Sequence, residues 1–480
     1  MIDATQFYIN GEWVAPLQAR PFEVINPATE EVAGRISLGT KADVDRAVLA
    51  ARARFAEFSQ TSLAERIDLF AAIITAYQKR EDDLAEAVMI EMGSPLWFAK
   101  AVQFDTPLLH FKHMREVLSD YDPSRMMNTT RVVREAIGVC GFITPWNWPL
   151  NQIVSKLAGA LGAGCTVVVK PSEIAPLSPV ILAEVLHDAG VPPGVFNLVN
   201  GLGPEVGEAI SSHPDIDMVS FTGSTRAGVL VAKSAADSVK KVHQELGGKS
   251  ANIIVPGTDL EAVIPADVMR AYTNSGQSCQ APTRMLVHKS EREKVYEIAK
   301  RTAEGVVLGD PRLDDSRLGP LASEVQFERV QGFIRAGIEE GAKLVAGGEG
   351  RPPGIERGYF ARPTVFGDVQ GDMTIAQQEI FGPVLAIQVY DDEDHAIELA
   401  NGTDYGLAGY VRAPDLETAR AVGARIRAGR IYLNGAPRNH PQDVEAPFGG
   451  YKQSGNGREA GLFGLEEFLE IKALIGYEEA

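Results

Sequence analysis

A chain of 480 residues, 45% hydrophobic and 23% charged, is long enough for two or three ordinary domains, and its composition excludes a disordered chain, a collagen-like repeat and a small disulfide scaffold. Its 46 Lys and Arg against 64 Asp and Glu leave a formal charge of −18. Such a surface repels phosphate backbones and anionic lipid, so no nucleic-acid or membrane partner is expected. The cysteines are Cys140, Cys165 and Cys279, with no CxxC pair, a pattern of reducing compartments rather than of thiolate zinc sites. The opening MIDATQFYINGEWV lacks the charge and apolarity of a signal peptide. The run LAGALGAGCTVVV is too short to span a bilayer. A cytoplasmic chain of enzyme size is the expectation.

In chain order, Asn10-Gly11 between FYI and EWV predicts a β-hairpin. Helical stripes follow over 41–59 (Val44, Ala47, Val48, Ala51, Phe55) and 62–90 (Leu69, Ile73, Ile74, Tyr77). Residues 120–134 are polar and turn-rich, then β-prone, and read as an arm leaving the domain or a long edge hairpin. From 137 to 255 short apolar runs (IGVCGFI, TVVVK, VFNLVN, MVSFTG, ANIIV) alternate with helical segments near 151–163, 178–189, 204–211 and 226–236. Strands apolar on both faces, alternating with helices, imply a parallel, doubly wound sheet. A second α/β stretch covers about 261–430, with helices near 261–274, 291–304, 323–340 and 415–428, and a Gly- and Pro-rich loop at 345–364.

Five constellations carry chemistry. Cys279, in NSGQSCQ, has small or polar neighbours, and Gly276 would let another molecule approach the backbone. An accessible thiolate is a strong nucleophile toward a carbonyl carbon, whereas Cys140 and Cys165, inside apolar strands, read as small buried hydrophobes. In Pro145-Trp146-Asn147-Trp148-Pro149 the prolines stiffen a segment at a strand's C-terminal end, where open α/β sheets bind ligands. Asn147 reads equally as an oxyanion donor or as the turn of an aromatic plug. Phe221-Thr222-Gly223-Ser224-Thr225-Arg226 runs from strand to helix and offers amides to a pyrophosphate, without the GxGxxG spacing. Lys170-Pro171-Ser172-Glu173 reads as a ribose site or a solvated turn. Glu245, before Gly247-Gly248, reads as a mobile carboxylate able to reach a substrate water, or as a surface turn. His110 and His113, three apart, read as a helix face rather than a metal site.

Together these segments resemble the aldehyde dehydrogenase superfamily, in the family's order and over nearly the whole chain: PWNWP (145–149), KPSE (170–173), FTGSTRAG (221–228), ELGGKS (245–250), GQSCQAPTR (276–284), EIFGP (379–383) and PFGGYKQSGNGRE (447–459). The resemblance implies an α/β fold with a Rossmann-like doubly wound cofactor domain (1–117 and 137–247), an α/β catalytic domain (248–447), a segment returning to the cofactor domain (448–467) and a small β oligomerisation arm (118–136 and 468–480). A homodimer or homotetramer is implied. Cys279 would attack the aldehyde, Asn147 and the Cys279 N–H would hold the oxyanion, and Glu245 would be the general base. Lys156 would support the catalytic site. Lys170 and Glu173 would meet the adenosine ribose, Trp146 and Ser224 the pyrophosphate region, and Glu379 the nicotinamide ribose, with Thr144, Ser172, Gly223 and Phe381 also among the cofactor-binding residues.

NAD is the expected cofactor, with NADP open: Glu173 beside the ribose would repel a 2′-phosphate, while Arg226 would attract one. Gln152, Ser155, Ser278, Gln280, Arg438 and Gln442 would line the substrate site. Their polarity suggests an aldehyde with a polar or carboxylate group, met by Arg438. The rivals are a coenzyme-A-acylating dehydrogenase, a hydrolase or acyltransferase pairing Cys279 with His243 or His288, and a non-catalytic relative.

Overall fold

The computed structural model describes residues 2–436 and 445–478, so Arg438 and Gln442 lie outside the described residues. Two large sheets organise the chain. The first has eight strands in the order Gly455–Asn456, Lys241–Glu245, Met218–Thr222, Val139–Ile143, Thr166–Lys170, Phe196–Leu198, Phe7–Ile9, Glu12–Val14. The five from Lys241–Glu245 to Phe196–Leu198 run parallel, and antiparallel partners flank them. TVVVK is apolar almost throughout because all five of its residues are buried; helices cover both faces of such a strand.

The strand order starts at Val139–Ile143 and grows in both directions, so the switch point lies between that strand and Met218–Thr222. Their C-terminal ends carry PWNWP and FTGST, at the crevice where doubly wound sheets bind ligands.

The second sheet has seven strands: Lys343–Ala346, Thr364–Gly367, Val384–Tyr390, Arg284–His288, Ala251–Ile254, Ala408–Arg412, Arg430–Leu433. ANIIV therefore belongs to this sheet and not to the first. A fully apolar strand carries no mark of which sheet it joins. The stripe over 62–90 is likewise two helices, Leu63–Gln78 and Glu81–Met92. Ser62 and Glu65 form a capping box on the first. The triplet Glu81-Asp82-Asp83 starts the second, in the first turn where the helix dipole favours acids. The segment near 415–428 is a shorter helix, Leu416–Gly423.

The Asn10-Gly11 hairpin forms as expected. Residues 124–136 are a hairpin, Ser124–Met127 with Thr130–Ala136, whose second strand also pairs with Leu469–Leu474.

Candidate active site

Cys279 sits at the end of a turn that the sequence forces into an uncommon shape. Asn274 and Ser275 have φ of 58° and 56°, and Gly276 follows at 74°. Left-handed backbone at non-glycine residues is strained and persists only where the surroundings over-determine it. Here Ser275 Oγ donates to Gly319 O at 2.8 Å, and Asn274 Nδ2 donates to Asn147 O at 2.8 Å. A Cβ on Gly276 would lie 2.0 Å from Gly382 O. The close approach expected at Gly276 is therefore made by the EIFGP segment of the same chain, not by another molecule.

Gly247 and Gly248 serve the same end. A Cβ at Gly248 would stand 2.3 Å from Cys279 O, and one at Gly247 would stand 2.6 Å from a Glu379 carboxylate oxygen. The two glycines are thus contact surfaces for the Cys279 turn and for Glu379. Cys279 is half-buried, whereas Cys140 and Cys165 are fully buried.

Cys279 lines a cavity of about 380 Å³ with Trp97, Phe98, Trp148, Tyr432 and Phe448, within the ~300–1,000 Å³ of small-molecule sites. Of the expected substrate-lining residues, Gln152, Ser155, Ser278 and Gln280 are on its wall. Burial, then the carboxyls of Glu379 and Glu245, push the Cys279 thiol above the ordinary thiol range.

Trp148 Nε1 donates to Ser278 Oγ at 2.9 Å and ties PWNWP to the nucleophile turn. Asn147 is 2% exposed, and its Nδ2 donates to Gln277 O at 3.0 Å. An amide nitrogen carries two hydrogens, so one remains for a ligand. Gln103 supports it from below, donating to Asn147 O at 3.3 Å. Gln103 lies in the π-helical turn Ala99–Phe104, an irregularity common at functional sites.

Glu245 ends its strand 2% exposed, which removes the surface-turn reading. Neither carboxyl oxygen has a hydrogen-bond partner. Burial, then repulsion from Glu459, hold its pKa well above the usual carboxylate range. Lys156 is fully buried, donating to Glu459 at 2.5 Å and to Thr222 Oγ1 at 2.7 Å. Although burial opposes it, this ammonium keeps Glu459 below its usual range. Glu459 had no signal in the sequence beyond its place in a Gly-rich turn, and only the fold shows that it faces Lys156.

Along the crevice, Thr144 Oγ1 is buried without a partner. Lys170 is 3% exposed; it donates to Pro171 O at 2.7 Å and reaches Glu173 at 3.4 Å. Burial lowers its pKa. The solvated-turn reading of KPSE therefore fails for Lys170. Ser172 Oγ accepts from Ile174 N, and Ser224 Oγ caps the helix Thr225–Ala235 by accepting from Ala227 N. Gly223 N donates to Glu245 O at 3.1 Å, coupling that turn to the carboxylate strand. Trp146 meets Phe381 edge-on at 5.4 Å. Glu379 accepts from Gly248 N at 3.0 Å, and burial lifts its pKa to about 7. An unsatisfied hydroxyl, a buried ammonium beside a carboxylate and a capped helix start, at the C-terminal ends of three neighbouring strands, suit a dinucleotide.

The family model for the aldehyde dehydrogenase family matches residues 13–474. The chain belongs to the aldehyde dehydrogenase family. It is 54% identical over 479 residues to a 3-succinoylsemialdehyde-pyridine dehydrogenase from a Pseudomonas species, covering 100% of both chains. Its structure matches a cysteine-to-alanine mutant of aldehyde dehydrogenase C from Pseudomonas syringae, complexed with NAD+ and octanal, at TM-score 0.98 and 52% identity, over 99% of this chain and 98% of that one. A Mycobacterium tuberculosis aldehyde dehydrogenase complexed with NAD+ matches at TM-score 0.95 and 40% identity, over 99% and 98%.

Neither histidine considered as a partner for Cys279 is bonded to it. His243 bonds Ser220 Oγ at 2.8 Å, and His288 bonds Ser290 Oγ and Asp391 O at the surface. His113 meets Glu116 and Glu445 at 3.3 and 3.2 Å, both carboxylates being exposed. His110, three residues earlier, lines the Cys279 cavity. Among the described residues, no helix is long and apolar enough to cross a membrane.

Proposed function

We propose that this aldehyde dehydrogenase oxidises its aldehyde to a carboxylic acid with NAD+, through a covalent intermediate on Cys279. The observation that carries this is a half-buried thiol on a cavity wall, its backbone packed on Gly248 and its turn bonded to Asn147. The Sγ–H bond breaks, its proton leaving to solvent through the cavity, as Sγ forms a bond to the carbonyl carbon. The resulting oxyanion accepts from the second Asn147 Nδ2 hydrogen and from the Cys279 N–H; one such donor is worth roughly 10²–10³ in turnover. NAD+, when bound, supplies the hydride acceptor. Thr144, Trp146, Lys170, Ser172, Glu173, Gly223, Ser224, Glu379 and Phe381 would hold it.

Loss of hydride leaves Cys279 as a thioester. Glu245 then takes a proton from the water that attacks it, releasing the acid and restoring the thiol. A carboxyl whose pKa is raised is a base only above that pKa, so turnover increases as pH rises through the Glu245 titration. Lys156, through Glu459, neutralises one of the two carboxylates and eases ionisation of the other. Glu173 beside Lys170 favours NAD over NADP, and the exposed Arg226 is outweighed.

The two large sheets would be the cofactor and catalytic domains, with boundaries near 247 and 447. The hairpin at 124–136 with Leu469–Leu474 exposes Met127, Ile471 and Ile475. Such an apolar edge suits pairing with further copies, as a homodimer or homotetramer. Three free cysteines suit a reducing cytoplasm. The test is NADH formation from an aldehyde with equimolar acid and without added coenzyme A. Dependence on coenzyme A would overturn the hydrolytic half of the mechanism.

A further inference from the structure

The helix Asp105–Asp120 carries two histidines with different surroundings. His110 is on the wall of the Cys279 cavity, and His113 is not. His113 is 6% exposed, and its Nδ1 is buried with no hydrogen-bond partner. A buried polar nitrogen left in that state is costly. Two carboxylate oxygens nonetheless stand beside it, Glu116 Oε2 at 3.3 Å and Glu445 Oε1 at 3.2 Å. Glu116 follows His113 by three residues, so the helix puts both on one face. Glu445 comes from the far end of the chain and lies shortly before Phe448, which is on the cavity wall. Arg430 holds the segment between them, donating to Ala446 O and to Pro447 O.

The nitrogen and the two oxygens all lie within 4.8 Å of one another. Two atoms that bind one Zn2+ at about 2.1 Å with a tetrahedral angle stand roughly 3.4 Å apart, and both His113 contacts are close to that length. One imidazole nitrogen with two carboxylate oxygens is a donor set for a transition cation such as zinc, whereas Ca2+ and Mg2+ take oxygen ligands. Two carboxylates and a neutral imidazole carry two negative charges, which a divalent ion balances; it would also relieve the repulsion between the carboxylates. Among the described residues, the ion-pair contacts of both carboxylates are with His113. Both are exposed, so water can complete the coordination, as it does at zinc sites with three protein ligands.

We propose that His113, Glu116 and Glu445 bind one divalent transition cation of the zinc class, and that the ion fastens the segment before Phe448 to the helix Asp105–Asp120. The ligand set is not the His110–His113 pair weighed from the sequence, because only His113 faces the carboxylates. The site does not rest on the role of Cys279, since none of the three residues lines its cavity.

The test is equilibrium dialysis of the full-length enzyme against ZnCl2, with Cys279 alkylated so that its thiol does not compete for the metal. One Zn2+ per chain should bind. Glu116→Gln and Glu445→Gln alter exposed side chains and should leave the fold intact. Each should weaken binding by at least about 10- to 100-fold, the loss that even groups behind the ligands produce. His113→Asn should weaken it as much or more. No site filled at about 0.1 mM free Zn2+, or a bound ion that neither Gln variant weakens, would overturn the site. The fastening is read separately, by amide hydrogen exchange at Glu445, Ala446 and Phe448. Zn2+ should slow that exchange in the parent and not in Glu116→Gln, whose substitution is on the helix. Unchanged exchange in a parent that holds the ion would overturn the fastening.

Discussion

The two halves of the site are held by opposite means. The nucleophile turn, Asn274 to Cys279, is neutral and strained: left-handed backbone, a glycine pressed on a carbonyl and side chains bonded to backbone oxygens. The Glu245 region draws Glu245 and His243 from a regular strand, Lys156 from a helix and Glu459 from a Gly-rich turn, and it is charged and dry. Geometry is stored in the backbone on one side, and proton affinity in the electrostatics on the other. The first should respond to changes of volume and barely to charge, the second in the reverse way.

The largest effect tests whether the strained turn carries the chemistry at all. Cys279→Ser should reduce NADH formation by at least about 10³-fold, and rapid alkylation should fall from one thiol per chain to none. The same loss from Cys140→Ala would break the contrast between the two environments. Next, Glu245→Gln should keep a rapid first release of NADH and lose roughly 10²–10⁴ in steady turnover, read by stopped-flow bursts. Loss of the burst itself would place Glu245 in the first half-reaction.

Gly276→Ala should cost about 1–3 kcal/mol or more of stability, because the new Cβ meets Gly382 O and the φ is unfavourable; a thermal melt would show it. The smallest effect is electrostatic. Glu379→Gln removes the charge that, after burial, contributes most to raising the Cys279 pKa. Above pH 7, where Glu379 is mostly ionised in the parent, alkylation of Cys279 should quicken about 2- to 5-fold. Slower alkylation would reverse the sign of the argument.

The alternation of TVVVK-like runs with helical stripes was enough for a parallel sheet, because burial on both faces leaves a continuous apolar run. It was not enough to say which sheet ANIIV joins, since that depends on where the chain crosses between layers. Cys279, Asn147 and Glu245 were legible because their residue types and their turn-forming neighbours are unusual together. Glu459 and His110 were not. An acid in a Gly-rich turn and a histidine on a helix have ordinary surface readings, and only tertiary packing turns one toward Lys156 and the other toward the Cys279 cavity. What presses on Gly276, Gly247 and Gly248 was hidden for the same reason: sequence marks a need for closeness but not what comes close.

The strand Gly455–Asn456 lies along Gln244 and Glu245, and Leu469–Leu474 lies along Arg131–Ala136, more than 200 and 300 residues earlier in the chain. During synthesis both earlier strands leave the ribosome with one edge bare and must wait for these late partners. Glu459 also arrives only then, so a nascent chain that already holds its thiol still lacks the carboxylate that pairs Lys156 and repels Glu245. The order of translation thus leaves the surroundings of Glu245 incomplete until the polypeptide has wrapped back on itself.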